Sequence, residues 1–304
     1  MKAQRAASQK ASASRRQPKR EMRFRELVEP ALEAKKLRGN ESSSVHTDRV
    51  RLHRILPAIG HLKIHQLTPG RIESFLQDLA RGDAEHAPAK GATVNRFHSL
   101  LSSIFRYALR QGFVDVNPLA GGRIPRSKES PIHVRYLGRD EQRRLVAAIR
   151  LQCPKKILEL ELAIRSGMRR SEQFNARWED WKIREGVLHV TGKTGPRKVR
   201  ISRAAHRCLS RLKKHARGEY ITPERNESPI DSRLWFERAV KRAELRPAFH
   251  YRDCRHTFCS RLVSSGIPLL DVQQLAGHKS FRTTLRYAHL SPDHLKRAVE
   301  KAEF

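Results

Sequence analysis

The stretch CRHTFCSRLVSSGIPLLDVQQLAGHKSFRTTLRYAHLS, residues 254–291, decides the fold of the second half of this chain. Near its end stands Tyr287, one of five tyrosines in 304 residues. Its sequence neighbours are mostly small or basic, and the basic ones include His278, Arg282, Arg286 and His289. A core tyrosine normally has more apolar neighbours. The pattern therefore predicts a phenol that meets a phosphate, with nearby cations favouring its phenolate form.

The charge of the chain indicates the class of its partner. The formal net charge is +32, and 38% of the residues are hydrophobic, which is enough for ordinary cores. An excess of this size opposes compaction and points to a polyanionic partner. No apolar run approaches the roughly 20 residues of a membrane span, and no apolar segment follows the basic N-terminus as in a secretory signal. We therefore predict a nucleic-acid-binding protein of the cytoplasm or nucleoid.

The cysteines indicate neither a zinc site nor a disulfide framework. They are Cys153, Cys208, Cys254 and Cys259, and none forms a CxxC pair. The spacing of the last two fits no common zinc pattern. We interpret all four as reduced structural thiols of a reducing compartment, and we predict neither a metal nor a cofactor.

Residues 1–115 are predicted to form a basic arm and a helical domain. Residues 1–20 contain no acid, which favours a disordered arm that lies on phosphates, or else an ordinary solvated tail. Between Phe24 and Gly112, four segments show apolar residues at helical spacing. They indicate a compact four-helix domain, residues 21–115, with basic outer faces.

Two of these helices carry clear boundary signals. The apolar face of the second is expected from Val50, Leu52, Ile55 and Leu56, with Pro57 ending the helix. The third is expected to begin after an N-cap at Thr68, with Pro69 in its first turn, and to end at Gly82.

The second half is predicted to be mainly α with a small antiparallel β-sheet. It follows residues 116–136, a basic stretch rich in Pro and Gly that predicts a linker closing a clamp around a duplex, or an ordinary spacer. The domain itself spans residues 137–304. Its sheet is expected to be a hairpin of Val187–Val190 and Lys198–Ile201 around a Thr/Gly/Pro turn.

This domain contains the groups that break a phosphodiester without a metal. The reaction needs a nucleophile, cations on the non-bridging oxygens and an acid for the leaving oxygen. Arg169, after a Ser-Gly break, and Arg255 can each bind a phosphate through two nitrogens. Lys193 at the hairpin tip can protonate a departing oxygen, and Tyr287 can attack. His278 can bind a non-bridging oxygen or assist proton transfer. Each of these residues taken alone is more typical of a surface charge or a structural side chain.

The ordered set of motifs resembles the tyrosine recombinases of the phage integrase family. SGMRRSE is similar to the family's first arginine box, TGKTGPRKVRI resembles its hairpin lysine segment, and residues 254–291 resemble its longest signature almost end to end. The segments LPAIGHLKIHQLTPGRIESFLQDL and TVNRFHSLLSSIFRYALRQGFVDVNPLAG resemble its core-binding domain. The likeness covers roughly residues 24–300. It implies a SAM-like helical core-binding domain followed by the tyrosine-recombinase catalytic domain.

The resemblance also assigns the site residues. It implies Arg169, Arg255 and His278 as phosphate ligands, Lys193 as the acid and Tyr287 as the nucleophile. It gives His256 as a packing residue behind the site.

One position departs from the family pattern. The family usually has His three residues before the second arginine, and here that position is Arg252. An arginine cannot act as a base in the normal pH range. Three accounts are open: Arg252 is another phosphate ligand, the nearby His250 swings in, or the enzyme is slow or inactive. Because the family tolerates other residues here, the first account is favoured, and Arg252 joins the candidate catalytic residues.

The resemblance implies a reaction and an assembly. Tyr287 attacks the scissile phosphate to form a 3′-phosphotyrosyl link, without metal or ATP, and a 5′-hydroxyl of the partner duplex reverses the step. Four protomers exchange strands between two double-stranded attachment sites through a Holliday junction, which leaves room for an accessory DNA-bending protein. The last segment, SPDHLKRAVEKAEF, is expected to be a helix that packs on a neighbouring protomer or on its own domain.

Two rival functions share parts of this pattern. A type IB topoisomerase uses the same chemistry as a monomer, but the helical core-binding domain and the helix beyond Tyr287 favour a recombinase. A catalytically impaired, sequence-specific DNA-binding protein is supported by Arg252 alone, and the intact Arg169, Arg255 and Tyr287 argue against it.

Overall fold

Two units of the chain fold around separate cores, and their contacts divide the chain after Pro131. The structure is a computed structural model, and it describes residues 21–38, 42–130, 134–193, 195–222 and 234–291. The predicted basic arm, residues 1–20, and the predicted terminal helix beyond residue 291 lie outside the described residues.

Within its described residues, the first unit has four α-helices, as the apolar spacing predicts. They are α1 (Phe24–Leu37), α2 (Ser42–Ile59), α3 (Pro69–Arg81) and α4 (Gly91–Arg110). The buried face of α4 includes Val94, Phe97, Leu101, Ile104, Phe105 and Ala108. The boundaries of α3 are also confirmed, because the Thr68 hydroxyl accepts a hydrogen bond from the Arg71 N–H at 3.4 Å and Gly82 follows the last turn.

Two expectations for α2 are wrong. The helix continues through Pro57 to Ile59, because a proline this close to the end removes only one intrahelical hydrogen bond. Burial of Ile55 and Ile59 favours keeping the last turn. Val50 is 56% exposed, whereas Leu52 and Ile55 are buried. Residues two apart lie on different sides of a helix, so Val50 and Leu52 do not share a face.

Much of the segment predicted as a linker packs on the first unit instead. Leu119 and Ile124 are buried in its core. The side chain of Asn95 on α4 donates to the Ser127 carbonyl at 2.9 Å and accepts from the Ser127 N–H at 2.9 Å. The apolar pair and the side-chain amide of Asn95 therefore hold residues up to about Ser127 against α4. Composition alone suggested an extended spacer from residue 116.

The second unit is mainly helical. Its α-helices are α5 (Arg139–Gln152), α6 (Ile157–Ser166), α7 (Arg170–Asn175), α8 (Arg203–Lys213), α9 (Leu234–Arg242), α10 (Asp253–Ser264), α11 (Leu269–Ala276) and α12 (Phe281–Leu285). The short α12, which directly precedes Tyr287, was not expected from the sequence, because five residues show no clear period. Within the described ranges, no helix is both long and apolar enough to cross a membrane.

The predicted hairpin is confirmed and has one extra strand. The sheet is antiparallel with the order β1 (Trp181–Lys182), β2 (Val187–Gly192) and β3 (Gly195–Arg200). Leu188 pairs with Val199, and both are buried. The two residues of β1 are too few to show alternation, so no sequence pattern indicates this strand. The fold class, mainly α with a small antiparallel sheet, is as predicted.

Candidate active site

A tight turn between α6 and α7 places the first candidate arginine. Gly167 has φ +62°, and a Cβ on it would lie 2.3 Å from the ring of Phe258. Glycine is therefore needed both for the left-handed backbone and for the close approach. Arg169 follows as the N-cap of α7. Its N–H donates to Glu172 Oε2 at 2.8 Å, and its Nη1 donates to Glu172 Oε1 at 2.7 Å.

Glu172 is the buried anion of the site. Its side chain is fully buried and also accepts two hydrogen bonds from Arg197 on β3, from Nη2 at 2.8 Å and from Nε at 3.2 Å. Burial alone would raise the pKa of this carboxyl. The hydrogen bonds from Arg197 and Arg169 outweigh burial and lower the pKa to about 2. Glu172 is therefore ionised at neutral pH.

The end of α11 approaches the same group of side chains. Gly277 has φ +67°, and a Cβ on it would lie 2.7 Å from Arg197 Cδ. Its carbonyl accepts from Arg169 Nη2 at 3.3 Å, and the Leu275 carbonyl accepts from Arg197 Nη1 at 3.4 Å. Arg169 and Arg197 therefore connect α7, the hairpin and the end of α11.

Sequence reasoning missed Glu172 and Arg197. Glu172 stands three residues after Arg169, the spacing of a capping box, and this signal could have identified it. Arg197 lies in a run of basic residues along β3, and its sequence position does not distinguish it from them.

Arg255 on α10 is a buried cation with unused hydrogen-bonding capacity. Only 9% of the residue is exposed, and its Nη1 donates to the Gly167 carbonyl at 2.9 Å. Its Nη2 is buried and has no hydrogen-bond partner in the part of the chain that the structure describes. Burial, followed by the charge of Arg169, lowers the pKa of Arg255 to about 10. The guanidinium stays protonated at neutral pH, so the site has positive charge to offer an anion.

His278 lies beside the candidate nucleophile. It is 9% exposed, its Nδ1 is 2.9 Å from the Thr284 hydroxyl, and its ring stacks on the Tyr287 ring with centroids 6.3 Å apart. Burial lowers the pKa of His278 to about 3, and the charges of Arg255 and Arg169 act in the same direction. The imidazole is therefore neutral at neutral pH and available for a hydrogen bond.

The environment of Tyr287 differs from the expectation. The residue is only 1% exposed and packs with Val263, Val272 and Ala276. Burial raises the pKa of the phenol well above its usual value, and Cys259 raises it further. Arg255 and Arg286 lower it, but by less. The expectation that neighbouring cations favour the phenolate is wrong, because loss of water around the oxygen costs more than their charges supply.

The Tyr287 hydroxyl has a histidine partner. His256 Nδ1 lies 2.5 Å from the Tyr287 oxygen, and the two ring centroids are 5.9 Å apart. The resemblance gave His256 only a packing role. The two residues are 31 positions apart in the sequence, so the sequence order does not indicate this contact.

Lys193 and Arg252 are exposed at the surface of the unit. Lys193 lies directly after β2 at the hairpin turn. The Arg252 side chain is 77% exposed, with Nε 3.6 Å from Asp253 Oδ1. His250, the alternative base, has a side chain that is 59% exposed, and its Nδ1 lies 3.9 Å from Asp253 Oδ2. The structure thus gathers buried Arg255, His278 and Tyr287 with the partly buried Arg169. It leaves Lys193, Arg252 and His250 facing solvent.

The cysteines are free thiols, as predicted. Cys259 is fully buried next to Tyr287, and burial raises its pKa. Within the described ranges, no three His, Cys, Asp or Glu side chains are grouped so that they could hold a metal ion.

Comparison with known proteins agrees with this fold. The model of the phage integrase family matches residues 135–294, more than half of the chain. The chain belongs to this family, and its enzymatic class is that of the tyrosine recombinases. A tyrosine recombinase of Thermosipho africanus is 26% identical over 246 residues, which is 79% of this chain and 86% of the relative.

Solved integrase structures share the fold. The integrase of transposon Tn1549, in complex with a circular intermediate DNA, superposes with a TM-score of 0.74 at 18% identity, over 92% of this chain and 99% of that one. A lambda integrase tetramer bound to a Holliday junction gives a TM-score of 0.70 at 22% identity, over 85% of this chain and 78% of that one.

Proposed function

We propose that the protein is a site-specific DNA recombinase that cuts and rejoins DNA through a 3′-phosphotyrosyl intermediate. The observation that carries this proposal is the buried Arg255 Nη2, which has no hydrogen-bond partner among the described residues. A buried charged donor without a partner is costly. A non-bridging phosphate oxygen would satisfy it next to Arg169, His278 and Tyr287.

The charges of the site fit a phosphate in its pentavalent state. The carboxylate of Glu172 faces three guanidiniums, those of Arg169, Arg197 and Arg255. These four side chains together therefore have excess positive charge. Arg169 and Arg255 bind the non-bridging oxygens, and neutral His278 adds a hydrogen bond. Because these groups are already in place, little reorganisation is needed as negative charge builds up on the phosphate.

The remaining groups act on the attacking and leaving oxygens. Tyr287 attacks phosphorus and releases a 5′-hydroxyl, and Lys193 protonates the leaving oxygen from the hairpin turn. Arg252, exposed beside the cluster, binds a phosphate of the DNA backbone. The energy of the broken bond stays in the phosphotyrosyl link, so the reverse reaction with a new 5′-hydroxyl needs neither ATP nor a metal.

The working form would be four protomers on two double-stranded DNA sites. The lambda integrase tetramer on a Holliday junction shares this fold and supports the assembly. An accessory DNA-bending protein and a nucleoid location belong to the same proposal.

The test uses a binding site selected from a library of random duplexes, made as a nicked suicide duplex. Incubation without metal should give a denaturant-resistant protein–DNA adduct, and Tyr287→Phe should bind the duplex but give none. A bound duplex without an adduct would contradict the proposal. Strand exchange between two site-bearing duplexes, rather than relaxation of a supercoiled plasmid, would separate a recombinase from a topoisomerase.

A further inference from the structure

The contact between Tyr287 and His256 has no role in binding the phosphate or in protonating the leaving oxygen. The His256 Nδ1 atom lies 2.5 Å from the phenol oxygen, at the short end of hydrogen-bond distances. His256 follows Arg255 on α10, so the histidine and a phosphate-binding arginine are adjacent on one rigid element. A group this close to the attacking oxygen is in position to take its proton.

The phenol of Tyr287 needs such a group. An unperturbed tyrosine has a pKa of about 10, and burial raises the pKa of Tyr287 well above that value. At neutral pH the hydroxyl is therefore protonated and a poor nucleophile. A protonated nucleophile of this kind is normally activated by an adjacent base within hydrogen-bond reach.

His256 is neutral and can accept the proton. Burial lowers its pKa below the usual value, and the charges of Arg252, Arg255 and Arg286 act in the same direction, whereas Asp253 opposes them. The other titratable groups that face it are Tyr287 and His278. When the phenol donates to Nδ1, the ring proton resides on Nε2, and Nδ1 carries the free electron pair.

The other candidate bases near the site are less suitable. The Nδ1 of His278 already contacts the Thr284 hydroxyl, and burial lowers the pKa of His278 to about 3, which makes it a weak base. Arg252 has only hydrogen-bond donors and no acceptor atom. The His250 side chain is 59% exposed and lies beside Asp253. The Cys259 thiol is buried with a raised pKa, so it stays protonated.

We propose that His256 is the general base that removes the proton from Tyr287 during DNA cleavage. The assignment rests on the proposed function, since it names the base for the phosphotyrosyl-forming step. His256 touches the reacting oxygen and is in that sense a catalytic residue.

The Tyr287 oxygen forms a bond to phosphorus while its proton moves to His256 Nδ1, giving an imidazolium. The bond between phosphorus and the 5′-oxygen breaks, and that oxygen takes a proton from the Lys193 ammonium. In the rejoining step, Lys193 takes the proton of the attacking 5′-hydroxyl, and the His256 imidazolium returns its proton to the departing tyrosine.

The test separates deprotonation of the nucleophile from protonation of the leaving group. The selected suicide duplex is made with sulfur in place of the 5′-bridging oxygen, because a thiolate leaves without an acid. Single-turnover adduct formation is measured for the wild type, His256→Asn, His256→Gln, Lys193→Ala and His250→Asn. Asn can accept a hydrogen bond near the place of Nδ1, but it cannot take a proton.

The expected pattern is specific to a base. His256→Asn and His256→Gln should slow adduct formation by about 10²–10⁴-fold on both the oxygen and the sulfur duplex. Lys193→Ala should form the adduct slowly on the oxygen duplex and at nearly the wild-type rate on the sulfur duplex. His250→Asn should match the wild-type rate on both duplexes. Because the pKa of His256 is lowered, the wild-type rate on sulfur should stay level through neutral pH and fall only below about pH 6.5, the usual pKa of histidine. The His256→Asn rate should instead gain about tenfold per pH unit as hydroxide replaces the base.

Several outcomes would overturn the assignment. A His256→Asn protein with the wild-type rate and pH plateau would make His256 a positioning residue. Faster cleavage by His256→Asn would mean that the hydrogen bond restrains the nucleophile. If His256→Asn cleaved the sulfur duplex at the wild-type rate, His256 would act on the leaving group and not on the nucleophile. Duplex binding and circular dichroism identify a misfolded variant, and then the other His256 variant decides. If the wild type itself formed no adduct, the result would contradict the proposed recombinase function and not only the role of His256.

Discussion

The guanidinium of Arg197 binds Glu172 through two nitrogens, Nη2 at 2.8 Å from Oε2 and Nε at 3.2 Å from Oε1. Glu172 in turn holds Arg169 at 2.7 Å. Through this one carboxylate, the hairpin that carries Lys193 is coupled to the first candidate phosphate ligand. The acid and the phosphate ligand of the proposed site thus depend on a carboxylate that is itself fully buried.

Glu172→Gln should destabilise the second unit and slow cleavage. The amide keeps the shape but leaves two partly buried guanidiniums without their anion, and breaking a buried ion pair costs about 3–5 kcal/mol. Urea unfolding followed by circular dichroism measures the loss. Glu179→Gln is the matched control, because the Glu179 side chain is 73% exposed in a surface ion pair with Arg177. An unchanged unfolding midpoint for Glu172→Gln would contradict the coupling.

The same carboxylate predicts a pH dependence of stability. Its folded pKa, about 2, is depressed from a reference of 4.5, so its contribution is present above the reference value and is lost as pH falls through the folded value. The shift corresponds to about 3 kcal/mol. The difference in unfolding free energy between the wild type and Glu172→Gln should be constant above about pH 5 and shrink between about pH 4.5 and 2. A difference that does not change with pH would assign the effect to packing.

Gly167→Ala should cost more than a backbone penalty alone. A Cβ there meets the Phe258 ring at 2.3 Å, and the Gly167 carbonyl holds Arg255. Gly186→Ala is the control, since Gly186 has a similar φ of +65° and open space around its Cβ position.

Gly186→Ala should lower the free energy of unfolding by about 1–2 kcal/mol. Gly167→Ala should lower it by about 1–3 kcal/mol more. Only Gly167→Ala should also slow adduct formation, because only its backbone positions Arg255. Equal effects of the two substitutions would refute the packing argument.

Arg252 should behave as a phosphate ligand in binding measurements. If the protein neutralises roughly 6–10 phosphates, affinity should fall by about 10³–10⁵ between 50 and 200 mM salt. Arg252→Ala should weaken binding to all sequences and reduce the salt slope by about 1. Arg177→Ala is the control, because Arg177 is already ion-paired with Glu219 at 3.3 Å. If the affinity of Arg252→Ala depends on salt as steeply as that of the wild type, the role of Arg252 as a phosphate ligand has no support.

Local patterns in the sequence determined most of the elements and the identity of the candidate groups. Thr68 and Pro69 mark the start of α3, apolar residues at helical spacing mark the buried face of α4, and the motifs at Arg169, Arg255, His278 and Tyr287 indicate the chemistry. These features depend on neighbours within a few residues, so they can be recognised without a fold. Leu119 and Ile124 show the limit, because their burial in the core of the first unit depends on a surface that composition does not describe.

Tertiary structure alone decided the state of each group. Tyr287 has basic neighbours along the chain, but its neighbours in space are Val263, Val272 and Cys259, so its pKa rises where the local sequence predicted a fall. The contacts that control the site join residues far apart in sequence, His256 with Tyr287 and Arg197 with Glu172. The sequence determines which groups are present, whereas ionisation depends on burial and on charges within a few ångströms, and only the packed chain brings those together.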